Sequence, residues 1–392
     1  MLQKINNYLT DSSKEKLKYV LGMVELKPPP PSPINPKLQQ LFHRMQIAGT
    51  KKIIASPNTT IRINGVRNSI KKFISDVQNA SGSKLESDLN KMNGLMGMLL
   101  DTGSGTIKLN FIYDENLRDN AKYIGVILHA VNTFCQMFEH NYNGLEINIC
   151  LDLNERSIKI PNNLHLDSVQ DKITYLQSQS AGLTVSGVTY GNRKVIVLTK
   201  REEMVKLLFH EMVHLVGLDN VLLSAKFLSK WAIANPKLNL SEAYAEFMSV
   251  LLVIAYESLQ LGSTLRIDPH IIFQQILTIE MNYGLYLTSN ILKFYGYDQA
   301  NYQQFFNGTG KKINQPIMLW EYIFLRTILL LDLDSTMNII PNDYKITKRN
   351  IPDLVKIFSD DTILIKNLEK FMSAPLYPSV SYLAIDLDWA KF

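Results

Sequence analysis

At 392 residues, the chain is long enough for a sizeable hydrophobic core and predicts two or three domains or lobes. Hydrophobic residues make up 46% and charged residues 20%, which is ordinary for a soluble globular protein, and the formal net charge is +5. The two cysteines, Cys135 and Cys150, lack CxxC spacing, which argues against a disulfide framework or a thiolate zinc knuckle and fits a reducing compartment.

The first 37 residues are predicted to be a basic, proline-rich leader and linker. Residues 1–75 contain 13 lysines and arginines against three acidic residues, an excess of ten positive charges. Such a segment is either a solvated leader or an arm that binds nucleic acid, an anionic membrane or an acidic partner. The sequence KPPPPSPINPK (27–37) predicts a polyproline II connector.

The sequence predicts a cytoplasmic or other intracellular location, with a virion as one alternative. The amino terminus lacks the apolar core of a signal peptide, so classical secretion is not expected. The most apolar run, 317–334, contains Glu321, Arg326 and Asp332, which predicts a buried helix and no transmembrane segment. The virion alternative comes from the Lys/Asn/Ile-rich composition, which is typical of A/T-rich genomes such as those of large DNA viruses or low-GC microbes.

Residues 38–103 are predicted to be a mostly helical accessory region, and the pattern changes at about residue 104. Apolar residues at helical spacing predict a helix over 120–138. Four segments have strand-like composition: 105–114, 145–153, 181–191 and 194–199. This order predicts an α+β fold in which a mixed sheet packs on helices, followed by a mainly helical lobe over 221–392.

The sequence TKREEMVKLLFHEMVHLVG (199–217) predicts a helix that carries metal-binding residues. Thr199 and Glu202 form a capping box at its start, and Gly217 is a natural stop. His210 and His214 are four residues apart, so both rings project from one face of the helix. Two imidazoles placed in this way can bind one Zn²⁺ ion, and Glu211 beside them can accept a proton from a water molecule.

A catalytic zinc ion usually has three protein ligands, so a third ligand is expected elsewhere. The spacing HExxHxxGxxH would place it at Asn220, but an amide is a poor zinc ligand, and Asp219 is one residue out of register. A second candidate is Glu242, which lies with Glu246 on a predicted helix over 240–256 that Asn239 can cap. Histidines elsewhere are a third alternative: His129, His140, His165 and His270.

HExxH followed by a downstream helix with ExxAE resembles the gluzincin metalloproteases, and specifically the anthrax-lethal-factor-like branch that includes the Pro-Pro endopeptidases. The resemblance covers about residues 104–260. It implies a zincin-like fold, with the HExxH helix in an N-lobe (104–220) and the third-ligand helix in the C-lobe (221–392). It implies one zinc ion held by His210, His214 and Glu242, with Glu211 as the general base and Glu246 supporting a ligating histidine.

In zincins, an edge strand before the active-site helix binds the substrate as an added strand, and AGLTVSGVTYG (181–191) is the candidate for that strand. The chain departs from the lethal-factor-like pattern in one respect, because residues 215–241 contain no tyrosine to stabilise the transition state. Five other tyrosines are candidates for the oxyanion donor: Tyr190, Tyr244, Tyr256, Tyr283 and Tyr286.

The expected function is therefore zinc-dependent hydrolysis of peptide bonds by a metalloendopeptidase. The alternative is a weakly active or inactive zincin-fold structural or interaction protein, with association with a virion as one possibility. Such a protein would use its basic amino-terminal arm to bind nucleic acid or acidic partners. An intact Glu211 argues against a purely structural metal site, because such a site needs no base.

Overall fold

A computed structural model describes residues 2–23, 35–60, 92–116, 119–151, 187–314, 318–374 and 381–392. The chain divides into two compact units. We call Leu41–Arg156, Gln177–Val216 and Leu387–Phe392 the sheet unit. We call Met1–Gln40, Ser157–Leu176 and Gly217–Asp386 the helical unit. The structure confirms a mixed α/β architecture with a mixed sheet.

Six strands of the described residues form the sheet, in the spatial order β1-β2-β3-β4-β6-β5. They are β1 (Ile54–Thr60), β2 (Gly94–Asp101), β3 (Thr106–Tyr113), β4 (Glu146–Cys150), β5 (Gly187–Tyr190) and β6 (Val195–Leu198). The first three strands are antiparallel, whereas β3, β4 and β6 run parallel. Strand β5 is antiparallel to β6 and lies at the edge of the sheet, as predicted for this segment. Residues 181–186 of the predicted strand lie outside the described residues.

Both faces of the sheet carry buried apolar side chains, in keeping with the two-residue period of a strand. Ile107, Leu109 and Phe111 of β3 are fully buried on one face. Alternate positions contribute to a separate cluster on the other face, formed by Met92, Leu95, Ile112, Cys150 and Val197. Val188 and Tyr190 of β5 pack against that cluster, so Gly187 and Thr189 face the opposite side of the sheet.

Helices α3 (Pro36–Gly49), α4 (Asn120–Met137) and α5 (Met204–Val216) accompany this part of the chain. Helix α4 confirms the helix predicted over 120–138. It contacts α5, and the rings of Phe134 and Phe209 stack with their centroids 5.9 Å apart. Helix α5 also contacts β5 and β6, so the sheet edge and the HExxH helix are neighbours. A short 3₁₀ helix, Trp389–Lys391, contacts α4.

The prediction that residues 38–103 are mostly helical is wrong for two described segments. Residues 54–60 and 94–101 are strands that pair with each other, and β2 also pairs with β3 along its whole length. The second segment, GLMGMLLD, is a short apolar run that has no clear helical or strand period. Cross-strand pairing therefore decides its structure. Residues 61–91 lie outside the described part of the chain.

After residue 220, the described residues of the helical unit are mainly helical. Its long helices are α6 (Leu240–Leu265) and α7 (Pro269–Phe294), which contact each other. The shorter helices of this region are α8 (Gln303–Phe306), a π-helical segment (Trp320–Leu325), α9 (Arg326–Leu331), α10 (Leu333–Ile339), α11 (Ile351–Ser359) and α12 (Thr362–Met372). A 3₁₀ helix (Asn220–Ser224) and an antiparallel hairpin of β7 (Lys226–Leu228) and β8 (Lys237–Asn239) precede α6.

The described part of the predicted leader is folded. Two described helices, α1 (Leu2–Asn6) and α2 (Asp11–Met23), precede α3, and Ile5, Leu9 and Val20 are fully buried. Lys16 is fully buried as well and donates a hydrogen bond to the carbonyl of Leu383. At least this lysine is therefore part of the core rather than of a basic surface. Residues 24–34 of the leader lie outside the described ranges.

Two apolar helical segments are relevant to the prediction that the chain has no transmembrane segment. Within the described residues, α6 is long and apolar enough to cross a membrane, but 72% of its most apolar window is buried in the protein, as in the core helix of a soluble protein. The apolar run predicted as a buried helix contains the π-helical segment and α9. Trp320 and Arg326 there are fully buried, which confirms a buried helix.

Candidate metal site

Helix α5 positions the two histidines of the HExxH sequence. It begins at Met204, so the predicted start with a capping box at Thr199 and Glu202 is wrong. The reason is local: Glu203 has a φ angle of +54°, in the left-handed region, and a right-handed helix cannot continue through that conformation. The predicted end is confirmed, because α5 ends at Val216 and Gly217 follows with φ of +70°.

The His210 and His214 rings meet on one face of α5, as their four-residue spacing predicts. Their Nε2 atoms lie 3.2 Å apart, and their ring centroids are 4.8 Å apart. Two nitrogen ligands at roughly 2.0–2.1 Å from a tetrahedral zinc ion would be about 3.3 Å apart. The separation of the two nitrogens therefore fits two ligands of one such ion. His210 is buried and His214 half-buried.

Glu242 lies in the first turn of α6. Asn239 caps this helix by accepting a hydrogen bond from the Ser241 backbone N–H, which confirms the predicted start. Helix α6 extends to Leu265, well beyond the predicted end at residue 256. One ligand atom each from His210, His214 and Glu242 lie within 4.8 Å of one another. These three side chains could hold a metal ion.

The other candidates for the third ligand have different surroundings. Asp219 is buried and accepts a short hydrogen bond from the Ser241 hydroxyl. The Asn220 side chain packs against Gly217, where an added Cβ would lie 2.2 Å from its Nδ2 atom. The Nε2 atom of His129 lies 3.1 Å from the carbonyl of Gly49. Among the described residues, the group of side chains that could hold a metal ion includes none of these three residues, nor His140 or His270. His165 lies outside the described residues.

Glu211, the predicted general base, is buried on α5 against the edge strand. The Thr189 hydroxyl lies 2.7 Å from its Oε2 atom and 3.0 Å from its backbone carbonyl. Gly187 allows this close approach, because a Cβ there would lie 2.6 Å from Oε1 of Glu211. The strand and the carboxylate are therefore fitted to each other, and the hydroxyl fixes the direction in which the carboxylate points.

Glu246 lies one turn after Glu242 and is buried. Its Oε1 atom is 3.6 Å from Nη1 of Arg326, which is also buried, so positive charge compensates the carboxylate. The sequence predicted that Glu246 supports a ligating histidine. That role stays a prediction.

Four of the five predicted oxyanion donors are buried: Tyr244, Tyr256, Tyr283 and Tyr286. The hydroxyl of Tyr244 donates to the carbonyl of Tyr344 at 2.7 Å, and that of Tyr283 donates to the carbonyl of Ser381 at 3.1 Å. Burial raises the pKa of Tyr286 to about 12 and raises the pKa values of Tyr244 and Tyr256. Tyr190 is half-buried on β5. The assignment of a donor among the five stays a prediction.

Two residues at the site were missed by sequence reasoning. Thr189 lies inside the predicted edge strand, but nothing in the sequence indicates which strand residue reaches Glu211. Tyr322 lies in the apolar run predicted as a buried helix, and its hydroxyl donates to Oε2 of Glu242 at 3.1 Å. Because 80 positions separate the two residues, no local pattern could have paired them.

Comparison with known proteins gives one informative match. An uncharacterized protein of Acanthamoeba polyphaga mimivirus is 38% identical over 361 residues, which cover 91% of this chain and 92% of the viral protein. No protein-family model matches the chain. No solved structure matches it either.

Proposed function

The chain belongs to the same protein family as this mimivirus protein, and we propose that it is a zinc-dependent metalloendopeptidase with a zincin-like fold. One observation carries the proposal: the ligand atoms of His210, His214 and Glu242 lie within 4.8 Å of one another, with Glu211 next to the first histidine. These are the residues that the gluzincin resemblance implies. Two histidines and a glutamate are a ligand set of catalytic zinc, which keeps a fourth position for water or substrate.

Zinc bound by these three residues would polarise the scissile carbonyl and lower the pKa of a water molecule. The remaining chemistry belongs to Glu211. Its carboxylate would accept a proton from the attacking water and then donate it to the leaving amine. The Thr189 hydroxyl at 2.7 Å supports this role, because it limits the rotation of a side chain that must meet its proton at a defined position.

The proposed substrate is a peptide that lies along β5. Among the described strands, β5 is at the edge of the sheet, where its outer backbone groups can pair with an extended chain. The Gly187 backbone and the Thr189 hydroxyl face the side chain of Glu211. A peptide added to this edge would therefore run next to the base.

The test is cleavage profiling of a denatured proteome or peptide library with the wild type and with Glu211→Ala. We expect the wild type to cut and the variant to bind zinc but cut nothing, because its ligands are intact and its base is missing. Equal cleavage by the two proteins would exclude Glu211 as the base. A wild type that binds zinc but cuts nothing, and unfolds when the metal is chelated, would favour the structural alternative.

A further inference from the structure

Tyr322 belongs to a helical segment that faces the first turns of α6. Oε1 of Glu321 accepts a hydrogen bond from the backbone N–H of Asn239 at 3.0 Å. Tyr322 donates to Glu242 at 3.1 Å, and Arg326 lies 3.6 Å from Glu246. Side chains of residues 321–326 therefore contact α6 at its N-cap, in its first turn and in its second turn.

The backbone at Tyr322 is unusual, because Trp320–Leu325 is π-helical whereas α9 continues directly from it as an ordinary α-helix. Short π-helical stretches are rare and occur frequently at functional sites. Here, the π-helical stretch contains both side chains that contact Asn239 and Glu242.

The contact with Glu242 fixes one of its two carboxylate oxygens. The hydroxyl binds Oε2, and this bond restricts the rotation that would otherwise let the carboxylate change the oxygen it presents to the histidines. Partners of this kind orient metal ligands, and their loss typically costs about 10–100-fold in metal affinity.

A second contact holds the Tyr322 ring. The ring of Tyr382 meets it edge to face, with centroids 5.7 Å apart and an interplanar angle of 78°. This geometry is favourable for two aromatic rings. Tyr382 belongs to residues 381–386, which we call the carboxy-terminal strap.

Buried charged side chains anchor the strap. Nη1 of Arg326 donates to the carbonyl of Tyr382 at 2.7 Å, and Nζ of Lys16 donates to that of Leu383 at 3.1 Å. Glu280 accepts hydrogen bonds from the backbone N–H groups of Ala384 and Ile385 at 3.0 and 2.8 Å. A strap without regular secondary structure must satisfy its buried backbone groups in this way.

We propose that Tyr322 is a positioning residue that orients the Glu242 carboxylate toward a divalent metal ion, and that the carboxy-terminal strap holds Tyr322 in place through Tyr382. The inference rests on the metal site of the proposed function but not on peptide hydrolysis. It makes a segment near the end of the chain part of the structure that sets metal affinity.

The test measures zinc affinity by competition with a chromophoric chelator in the full-length protein. Tyr322→Phe keeps the ring and removes the hydroxyl, and we expect its zinc affinity to fall about 10–100-fold. Tyr297→Phe is the matched control, because that buried tyrosine also loses a hydrogen bond, from its hydroxyl to the carbonyl of Lys311 at 2.7 Å. We expect the control to bind zinc as the wild type does.

A spectroscopic measurement separates positioning from a general loss of stability. In the Co²⁺-substituted protein, visible d–d bands report the ligand geometry, and we expect them to change in Tyr322→Phe and not in Tyr297→Phe. Tyr382→Leu removes the supporting ring and should weaken zinc binding about 3–10-fold, since it leaves the hydroxyl of Tyr322 in place but less restrained. Tyr382→Phe, which keeps the ring, should bind as the wild type does.

Unchanged zinc affinity and an unchanged Co²⁺ spectrum in Tyr322→Phe would overturn the proposal, and wild-type affinity in Tyr382→Leu would overturn the part that concerns the strap. These failures differ from a failure of the proposed function. A protein whose zinc affinity depends on Tyr322 but that cuts no peptide would keep the inference and lose the protease. A wild type that binds neither Zn²⁺ nor Co²⁺ would lose both.

Discussion

Replacing Gly187 by alanine tests the fit between the edge strand and the proposed base. The added Cβ would lie 2.6 Å from Oε1, 3.0 Å from Cγ and 3.1 Å from Cδ of Glu211, whereas ordinary contacts begin at 3.4 Å. The carboxylate must therefore move by roughly 0.8 Å, and a misplacement of about 1 Å can reduce the rate about 10²-fold. Forcing a methyl group into a packed site should also lower the free energy of unfolding by about 1–3 kcal/mol.

The assay combines peptide cleavage kinetics, zinc content and chemical denaturation. Gly191→Ala is the matched control, because it follows the same strand and an added Cβ there meets nothing within 4 Å. We expect Gly187→Ala to lose cleavage and stability while it retains zinc, and the control to behave as the wild type does. If Gly187→Ala were as stable and active as its control, the close packing of Glu211 on β5 would be refuted.

Two further predictions concern the side chains of Thr189 and Glu280. Thr189→Val removes the hydroxyl that contacts Glu211 but keeps the side-chain volume. A hydrogen bond to a charged group contributes about 1.5–3 kcal/mol, so its loss should lower kcat roughly 10–100-fold. Zinc affinity should not change, because Thr189 is not a proposed ligand. Thr189→Ser should restore most of the loss, and a valine variant with wild-type kcat would contradict the positioning role. Burial raises the pKa of Glu280 from its ordinary 4.5 to about 7, against the opposing effects of the Ala384 and Ile385 N–H groups, Arg326 and Lys16. Because the folded state then binds the extra proton, the free energy of unfolding should fall as the pH rises from about 4.5 through 7. The total decrease is up to about 3 kcal/mol, and it is complete by about pH 8. Glu280→Gln should lack this decrease. Chemical denaturation of the wild type and the variant at several pH values across this range measures it. The same pH dependence of the unfolding free energy in both proteins would contradict the raised pKa of Glu280.

The parts of the site that sequence could predict are those encoded by local spacing. Four-residue spacing places His210 and His214 on one face of a helix, and the Asn239 cap fixes the start of the helix that carries Glu242. The start of α5 could not be predicted, because the left-handed conformation of Glu203 overrides the capping signal at Thr199.

Contacts between distant segments account for the rest of what sequence missed. β2 looked like part of a helical region because its strand character depends on pairing with β1 and β3. Tyr322 is 80 positions from Glu242, and the strap is held by residues as distant as Lys16, 367 positions away. Such pairs leave no periodic signal in a single sequence, since their spacing reflects the tertiary fold.

The most direct test of the central claim is the zinc content of purified wild-type protein, compared with that of His214→Ala and Glu242→Ala after dialysis against a weak chelator. The proposed site predicts one zinc ion per wild-type chain and a loss of most of it in both variants, because each removes one of three ligands. A wild type without zinc, or a Glu242→Ala variant that retains it fully, would contradict the site.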